Sequence, residues 1–438
     1  MKESRFNIYY TADDGARLAF NSLTCALAVI DNTYDNLISS LRTLRKDNIP
    51  EELKDCYNAA YSGHFIVEDE VDELKELSIK RNFTKYNIES LGLTIAPTLA
   101  CNFKCIYCYE TSKPGIMSEK TQSDLIAFVR NHIKTIKSLE VSWYGGEPLL
   151  SKEIIYSLSE KLLDLCSQNN VEYNAYIISN GSLLDDLTIS KLEEFKVKGI
   201  QITLDGPPEI HNSRRICRSG EGSFDIIIEH INRVLQLSNI QVSIRINLDR
   251  TNSNRLKDLL KILSERLISK DVKISFGQVT ASTDACKSIE SSCYNNKEFA
   301  KEILNYYSLL TEYGFDKYNK FPYPQLMLNY CCAELINSFV IDHEGYMYKC
   351  WNEIGNHESS VGNISDTSYD LTNYRNAKWV ERNPISYDDC KNCALLPVCM
   401  GGCPHNDISL KNNHKCDMIK YNNRDIMLNY YKVLNSRE

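Results

Sequence analysis

Cys101, Cys105 and Cys108 stand in the segment LTIAPTLACNFKCIYCYE (93–110), a CxxxCxxC cluster at the end of a β-branched apolar run. Three thiolates can hold three corners of a [4Fe–4S] cube and leave the fourth iron without a protein ligand. A cluster meant only for electron transfer is normally held by four cysteines, so an open iron points to the binding of a small chelating molecule. A zinc or purely structural site wants a fourth ligand close by, and no further cysteine follows within fifty residues.

A second cysteine field lies toward the C-terminus: Cys331 and Cys332, then Cys350 in GYMYKC (345–350), then CKNCALLPVCMGGC (390–403), then Cys416. Cys390, Cys393, Cys399 and Cys403 could by themselves make one Cys₄ zinc site. That reading leaves Cys350 and Cys416 without a role. Between the two fields lie WYGGEP (143–148), ISNG (178–181), ITLDGPPEIHNSRR (202–215) and SIRINLD (243–249). A Gly-Gly pair lets the backbone approach a ligand closely, and an adjacent carboxylate can accept hydrogen bonds from an ammonium group. Gly145, Gly146 and Glu147 form such a set, with Asn180, Thr203, Arg214, Arg215 and Arg245 as further polar candidates. His211 reads as a solvated loop histidine, since nothing in the sequence gives it a perturbing partner.

Each motif follows a strand. LGLTIAP (91–97), LEVSWYG (139–145), EYNAYIIS (172–179), VKGIQITLDG (197–206), IQVSIRINL (240–248) and VKISFGQV (272–279) are candidate parallel strands. Helical stretches at about 118–136, 151–168, 184–195, 223–238 and 253–268 lie between them. Such alternation predicts an α/β fold with right-handed crossovers, here a partial (β/α)6 TIM-like barrel with its chemistry at the C-terminal strand ends. Ahead of it, RFNIYY (5–10) and RLAFN (17–21) flank the turn ADDG (12–15), and helices fit 32–46 and 68–82. The expected division is a winged-helix-like α+β domain over 1–90, the barrel over 91–320 and a cysteine-rich domain over 321–438, held by metal more than by apolar burial.

The chain of 438 residues has a net charge of −8, 43% apolar and 25% charged residues, which describes a soluble globular protein. That charge gives no general basic footprint, so neither nucleic acid nor an anionic membrane is expected as a partner. The start, MKESRFNIYYTADDG, has no apolar signal region, and a cytoplasmic location is expected. There, seventeen cysteines are metal ligands more readily than a disulfide framework. Those outside the motifs, Cys25, Cys56, Cys166, Cys217, Cys286, Cys293 and Cys332, read mostly as small buried hydrophobes.

CNFKCIYCYE, with aromatic Tyr107 before its last cysteine and a strand before the motif, resembles the cluster motif of the radical S-adenosylmethionine (SAM) superfamily. The resemblance implies that Cys101, Cys105 and Cys108 hold the catalytic [4Fe–4S] cluster and that Tyr107 packs near the adenine. WYGGEP resembles the family's GGEP segment, implying that Gly145, Gly146 and Glu147 meet the methionyl amino group. ISNG and ITLDGPPEIHNSRR resemble the TNG-like and SLDGPxxxHDxxR segments, with Thr203 for the usual Ser and Asn212 for the usual Asp. Asn180 and Thr203 then suit ribose and carboxylate. Arg214, Arg215 and Arg245 are alternatives for the carboxylate's partner, with Arg245 taken into the cofactor-binding set. The family's chemistry would pass one electron into the sulfonium and yield a 5′-deoxyadenosyl radical that abstracts a substrate hydrogen, with a low-potential donor such as flavodoxin or ferredoxin.

The C-terminal field resembles the seven-cysteine SPASM extension, which binds two auxiliary [4Fe–4S] clusters, three clusters in all. By that resemblance Cys331, Cys350 and Cys403 hold the first, and Cys390, Cys393, Cys399 and Cys416 the second. The adjacent Cys332 leaves the choice between Cys331 and Cys332 open. Radical SAM/SPASM enzymes divide broadly into maturases of ribosomal peptides and anaerobic sulfatase-maturing enzymes. The N-terminal arrangement resembles a leader-peptide recognition element, which captures a peptide as an added strand. Trp351 follows Cys350 where sulfatase-maturing enzymes typically carry Asp. The expected activity is therefore hydrogen abstraction and thioether crosslinking on a precursor peptide that carries a leader, a maturase of the sactipeptide or ranthipeptide type. A formylglycine-forming sulfatase maturase is the alternative, and a non-catalytic iron–sulfur carrier or zinc scaffold the alternative of another class.

Overall fold

The computed structural model describes residues 1–44, 48–110, 113–367, 370–410 and 415–435. It forms two compact units: Met1–Tyr86 with Pro322–Glu334 and Glu381–Glu438, and Asn87–Phe321 with Leu335–Val380. The divisions fall close to 90 and 320, but the C-terminal region is shared between the two units and does not form a third.

The larger unit is built on an open, mostly parallel sheet. Ser90–Ile95, Ser138–Trp143, Glu172–Ser179, Val197–Thr203, Gln241–Leu248 and Lys273–Gln278 lie side by side in sequence order, each pair parallel. Helices Glu119–His132, Lys152–Gln168, Asp186–Glu194, Phe224–Leu237 and Leu256–Arg266 connect them. Two of the five begin on a polar cap: Ser118 accepts from Thr121 N and Asp185 from Thr188 N, which satisfies first-turn amides that have no helical partner. Several strands were not anticipated, three of them in this sheet. Ser338–Ile341 adds parallel to Ser90–Ile95 and is followed by the antiparallel Tyr346–Tyr348 and Gly362–Asn363, so a piece of the cysteine-rich region extends the sheet.

Strand alternation decides what faces the site. In Gln241–Leu248, Val242, Ile244, Ile246 and Leu248 are buried, each side chain worth about 1.5–3 kcal/mol on burial. Successive side chains point to opposite faces, so Arg245 and Asn247 share the other one. Thr203 pairs in register with Arg245, and Gln201 lies two residues before it. Parallel strands bring all their C-terminal ends to one edge of the sheet, which gathers the motifs that follow them.

In the smaller unit, Asn7–Thr11, Arg17–Asn21 and Ala26–Ile30 form an antiparallel sheet in that order, packed by helices Asn32–Ser40 and Lys54–Ser62 through Tyr34, Leu37, Tyr57 and Phe65. The helix expected over 32–46 stops at Ser40, and residues 45 and 46 lie outside those described. The third helix, Glu73–Lys85, packs Leu77 against Cys390, Leu396 and Met400. No helix among the described residues is long and apolar enough to cross a membrane.

Candidate active site and cysteine sets

The loop after the first strand carries the three cysteines, and all three line one cavity of about 450 Å³. Phe103–Cys105 pairs antiparallel with Arg215–Cys217, placing Cys105 opposite Arg215. Arg218 Nε holds the Cys101 carbonyl at 2.8 Å. Burial pushes the Cys101 thiol up to about 12. Ligation of a metal there must therefore meet the cost of forming the thiolate. Among the residues lining the cavity these are the only cysteines. That donor set fits a cube with one open iron.

Gly145 and Gly146 explain how the loop is seated. Gly145 has φ +114°, and a Cβ there would lie 2.3 Å from the Thr98 carbonyl; one on Gly146 would lie 2.4 Å from the Ala100 carbonyl. The close approach that needs glycine is thus to the chain's own cysteine loop, and both residues also line the cavity. Glu147 departs from expectation. Fully buried and not among the lining residues, its carboxylate accepts from Ser179 Oγ at 2.8 Å, Asn180 N at 2.7 Å and Leu149 N at 3.1 Å. These three donors take up most of the carboxylate's acceptor capacity of about four sites, so in this structure Glu147 braces the turn.

Tyr107, Asn180, Thr203 and Arg245 all line the cavity. Asn180 Nδ2 donates to Asn102 Oδ1 at 2.8 Å, tying the third strand end to the cysteine loop. Gly277 leaves room for Arg245, since a Cβ there would lie 2.2 Å from its guanidinium. Of the three arginines, Arg214 is spent in a buried pair with Asp249 at 2.8 Å and does not line the cavity, whereas Arg215 and Arg245 do. Arg215 was not in the cofactor-binding set. Its Nη1 donates to Tyr107 Oη at 2.7 Å, and its Nε has no hydrogen-bond partner among the described residues. Tyr107 Oη also accepts from Asn247 Nδ2 at 3.3 Å and donates to buried Asp205. Burial opposes the Arg215 charge, but Cys105, Tyr107 and Asp205 outweigh it and raise its pKa.

His211 is fully buried, not solvated: Asp205 N donates to its Nδ1 at 3.4 Å and its Nε2 meets Ser223 Oγ at 3.1 Å. Burial, then Arg215, lowers its pKa well below the usual value. Its place is to hold the Asp205 turn. Sequence reasoning also missed an aromatic wall. Tyr109 and Tyr144 share a hydroxyl hydrogen bond, Trp351 packs on Tyr144 at 4.6 Å, and Glu110 lies beside them, its carboxyl pushed up by burial to about 7. Asn247 and Gln278 line the cavity too and were not among the candidates, although the strand-end rule is a signal that could have found them.

In the smaller unit Cys390, Cys393, Cys399 and Cys416 line one cavity of about 310 Å³. Cys416 rather than Cys403 completes this set, which disfavours the zinc arrangement. Cys403 instead lies near Cys331, burial of which pushes its thiol up to about 12, while the adjacent Cys332 is exposed. Cys350 belongs to the larger unit, next to the cavity-lining Trp351. Of the seven cysteines expected to be buried hydrophobes, only Cys166 and Cys286 are buried. The others sit at partly exposed loop, strand and helix positions.

Residues 95–263, from the first strand into the fifth helix, match the radical SAM superfamily. The chain carries a radical SAM domain. Radical SAM relatives extend over most of it: the radical SAM cyclopropyl synthase TigE of Paramaledivibacter caminithermalis is 22% identical, covering 93% of this chain and 92% of that one. The cysteine-type anaerobic sulfatase-maturating enzyme of Clostridium perfringens is 25% identical over 75% of this chain and 94% of its own. Among solved structures, native anSMEcpe with bound AdoMet and Cp18Cys peptide superposes with a TM-score of 0.62 at 20% identity, over 80% of this chain and all of that one. Streptococcus suis SuiB bound to S-adenosylmethionine does so with 0.53 at 14% identity, over 95% and 99%.

Proposed function

We propose that this radical SAM enzyme modifies a ribosomally synthesised precursor peptide, joining a cysteine sulfur to carbon in a thioether. The observation that carries this reading is the N-terminal antiparallel sheet, whose order leaves Ala26–Ile30 as an edge strand with Val29 63% exposed. An edge of this kind takes an extended peptide as one more strand, through main-chain hydrogen bonds. Coverage supports the assignment: SuiB, which has also been solved bound to its precursor peptide SuiA, aligns with 94% of this chain, against 80% for anSMEcpe.

In this reading Cys101, Cys105 and Cys108 hold a [4Fe–4S] cluster, and Gly145, Gly146, Tyr107, Asn180, Thr203, Arg215 and Arg245 surround the bound SAM. Together the two groups supply one-electron cleavage of SAM and abstraction of a substrate hydrogen atom. The chain's own residues orient and exclude. Arg215 and Arg245 offer the SAM carboxylate a cation, the glycine turn brings backbone groups to its amino end, and the Tyr109, Tyr144 and Trp351 wall keeps water from that side. Forming one S–C bond at the expense of one S–H and one C–H bond removes two hydrogens. One leaves as an atom to the deoxyadenosyl group, the other as a proton and an electron. Cys390, Cys393, Cys399 and Cys416 would hold an auxiliary [4Fe–4S] cluster suited to accept that electron. Cys331, Cys350 and Cys403 would hold a third cluster, a set that rests on the resemblance to the SPASM extension. A low-potential flavodoxin or ferredoxin and a cytoplasmic setting complete the reading.

The likeness to a cyclopropyl synthase favours a second outcome, carbon–carbon bond formation, which also removes two hydrogens. Incubating reduced, reconstituted enzyme and SAM with peptides encoded beside its gene separates the two. A product lighter by two hydrogens whose cysteine resists alkylation is the thioether. The same mass with an alkylatable cysteine is the carbon–carbon product. Deoxyadenosine release with every peptide mass unchanged would overturn the peptide assignment.

A further inference from the structure

The cavity formed by Cys390, Cys393, Cys399 and Cys416 is bordered, among the described residues, by one basic side chain, Lys420, in the first turn of the helix Ile419–Asn435. We propose that Lys420 raises the reduction potential of the auxiliary cluster held by these four cysteines, through a hydrogen bond from its Nζ to Cys393 Sγ at 3.6 Å. The inference rests on the four-cysteine reading given above.

Four thiolates leave a cube no open iron, so such a cluster exchanges electrons and its potential is its functional property. Reduction adds a negative charge to a group already negative. An ammonium donating to a ligand sulfur stabilises the reduced form more than the oxidised one, because net charge and hydrogen bonds to sulfur are both determinants of potential. The nearby carboxylates act in the opposite direction but make no such bond to sulfur. Asp389 borders the same cavity. Asp417 is occupied otherwise, accepting from Tyr330 Oη at 2.8 Å and from Ile419 N at 3.0 Å. Asp388 lies 3.8 Å from Lys391. Lys420 is exposed along its stem, so its replacement leaves the fold intact and isolates the charge.

The test is a redox titration of full-length, reconstituted protein followed by electron paramagnetic resonance, with iron and sulfide counted in each sample. The signal of this cluster is the one that a Cys393→Ala variant loses. Lys420→Gln should move its midpoint to more negative potential, so that the reduced-to-oxidised ratio at the wild-type midpoint falls about tenfold, 59 mV for one electron. Lys420→Arg should keep the midpoint near wild type. An unchanged or raised midpoint in Lys420→Gln, at full iron content, would overturn the role of Lys420 and leave the four-cysteine cluster standing. If Cys393→Ala removes neither signal nor iron, the cluster assignment fails first, and the inference with it.

Discussion

Arg81, on the third N-terminal helix, donates through Nη2 to Glu334 Oε1 at 2.6 Å, and both side chains are almost wholly buried. Glu334 also receives Arg382 Nη1 at 3.1 Å, and Arg382 in turn holds Asp407 and the carbonyls of Met400 and Gly401 between Cys399 and Cys403. Glu334 Oε2 accepts from Tyr330 N at 2.7 Å, one residue before Cys331. One carboxylate thereby ties the N-terminal helix to the loops that carry cysteine ligands.

Removing that carboxylate leaves the buried Arg81 guanidinium without its counter-ion and Arg382 with Asp407 alone. Glu334→Ala should cost about 3–5 kcal/mol of unfolding free energy, the range for breaking a buried pair by deleting one partner. Arg81→Met should cost clearly less, because Glu334 keeps Arg382 and the methionine fills the space. Denaturant unfolding of the two variants checks the order; equal losses would mean the network does not centre on Glu334.

Tyr107 Oη is where Asp205, Arg215 and Asn247 meet. Tyr107→Phe keeps the ring and its place beside the Arg214 guanidinium at 5.2 Å, but leaves buried polar groups without their shared partner. A lost bond to a charged group costs about 1.5–3 kcal/mol. SAM affinity should fall about ten- to a hundredfold while the iron content of the CxxxCxxC site is retained. Equilibrium binding with an iron assay on the same sample separates the two effects.

Gly146→Ala tests the seating of the cysteine loop. The added Cβ meets backbone, the Ala100 carbonyl, which cannot swing aside as a flexible side chain would. The loop bearing Cys101 must then shift. We expect loss of about four irons per chain, with little change at the C-terminal cysteine set. Full iron content and normal SAM binding in this variant would show that the loop yields without consequence.

Where pattern and burial coincide, the sequence was readable. The six parallel strands and five helices of the larger unit fall within a few residues of their expected places, because each strand pairs a buried face with a following polar turn, and each helix has an apolar stripe. Ser338–Ile341 escaped notice because a four-residue strand between cysteine motifs is too short to show a period. Glu147 and His211 were misjudged for another reason. Their motif marks a ligand site, but whether a polar side chain faces the ligand or the turn behind it depends on partners far away in sequence, Ser179 for one and Ser223 for the other.

Lys85 gives a pH dependence of definite sign. It is 3% exposed, and burial, then repulsion from Arg81, lowers its pKa to about 8. In the unfolded chain the amine keeps its ordinary value of 10.5. Below about pH 8 both states are protonated, and the folded state bears the full cost of a buried, crowded ammonium. Between about pH 8 and 10.5 the unfolded state binds the proton and the folded state does not, so stability rises with pH. The span of that rise is on the order of 2–3 kcal/mol at most. Lys85→Met should remove it and stabilise the protein at pH 7. The Arg382 carbonyl that Lys85 Nζ contacts at 3.1 Å keeps its bond from Arg81 Nη2 at 2.9 Å, so the substitution orphans no acceptor. Unfolding free energies of both proteins at pH 7 and pH 9.5 measure the difference; identical slopes would place the Lys85 proton in water in both states.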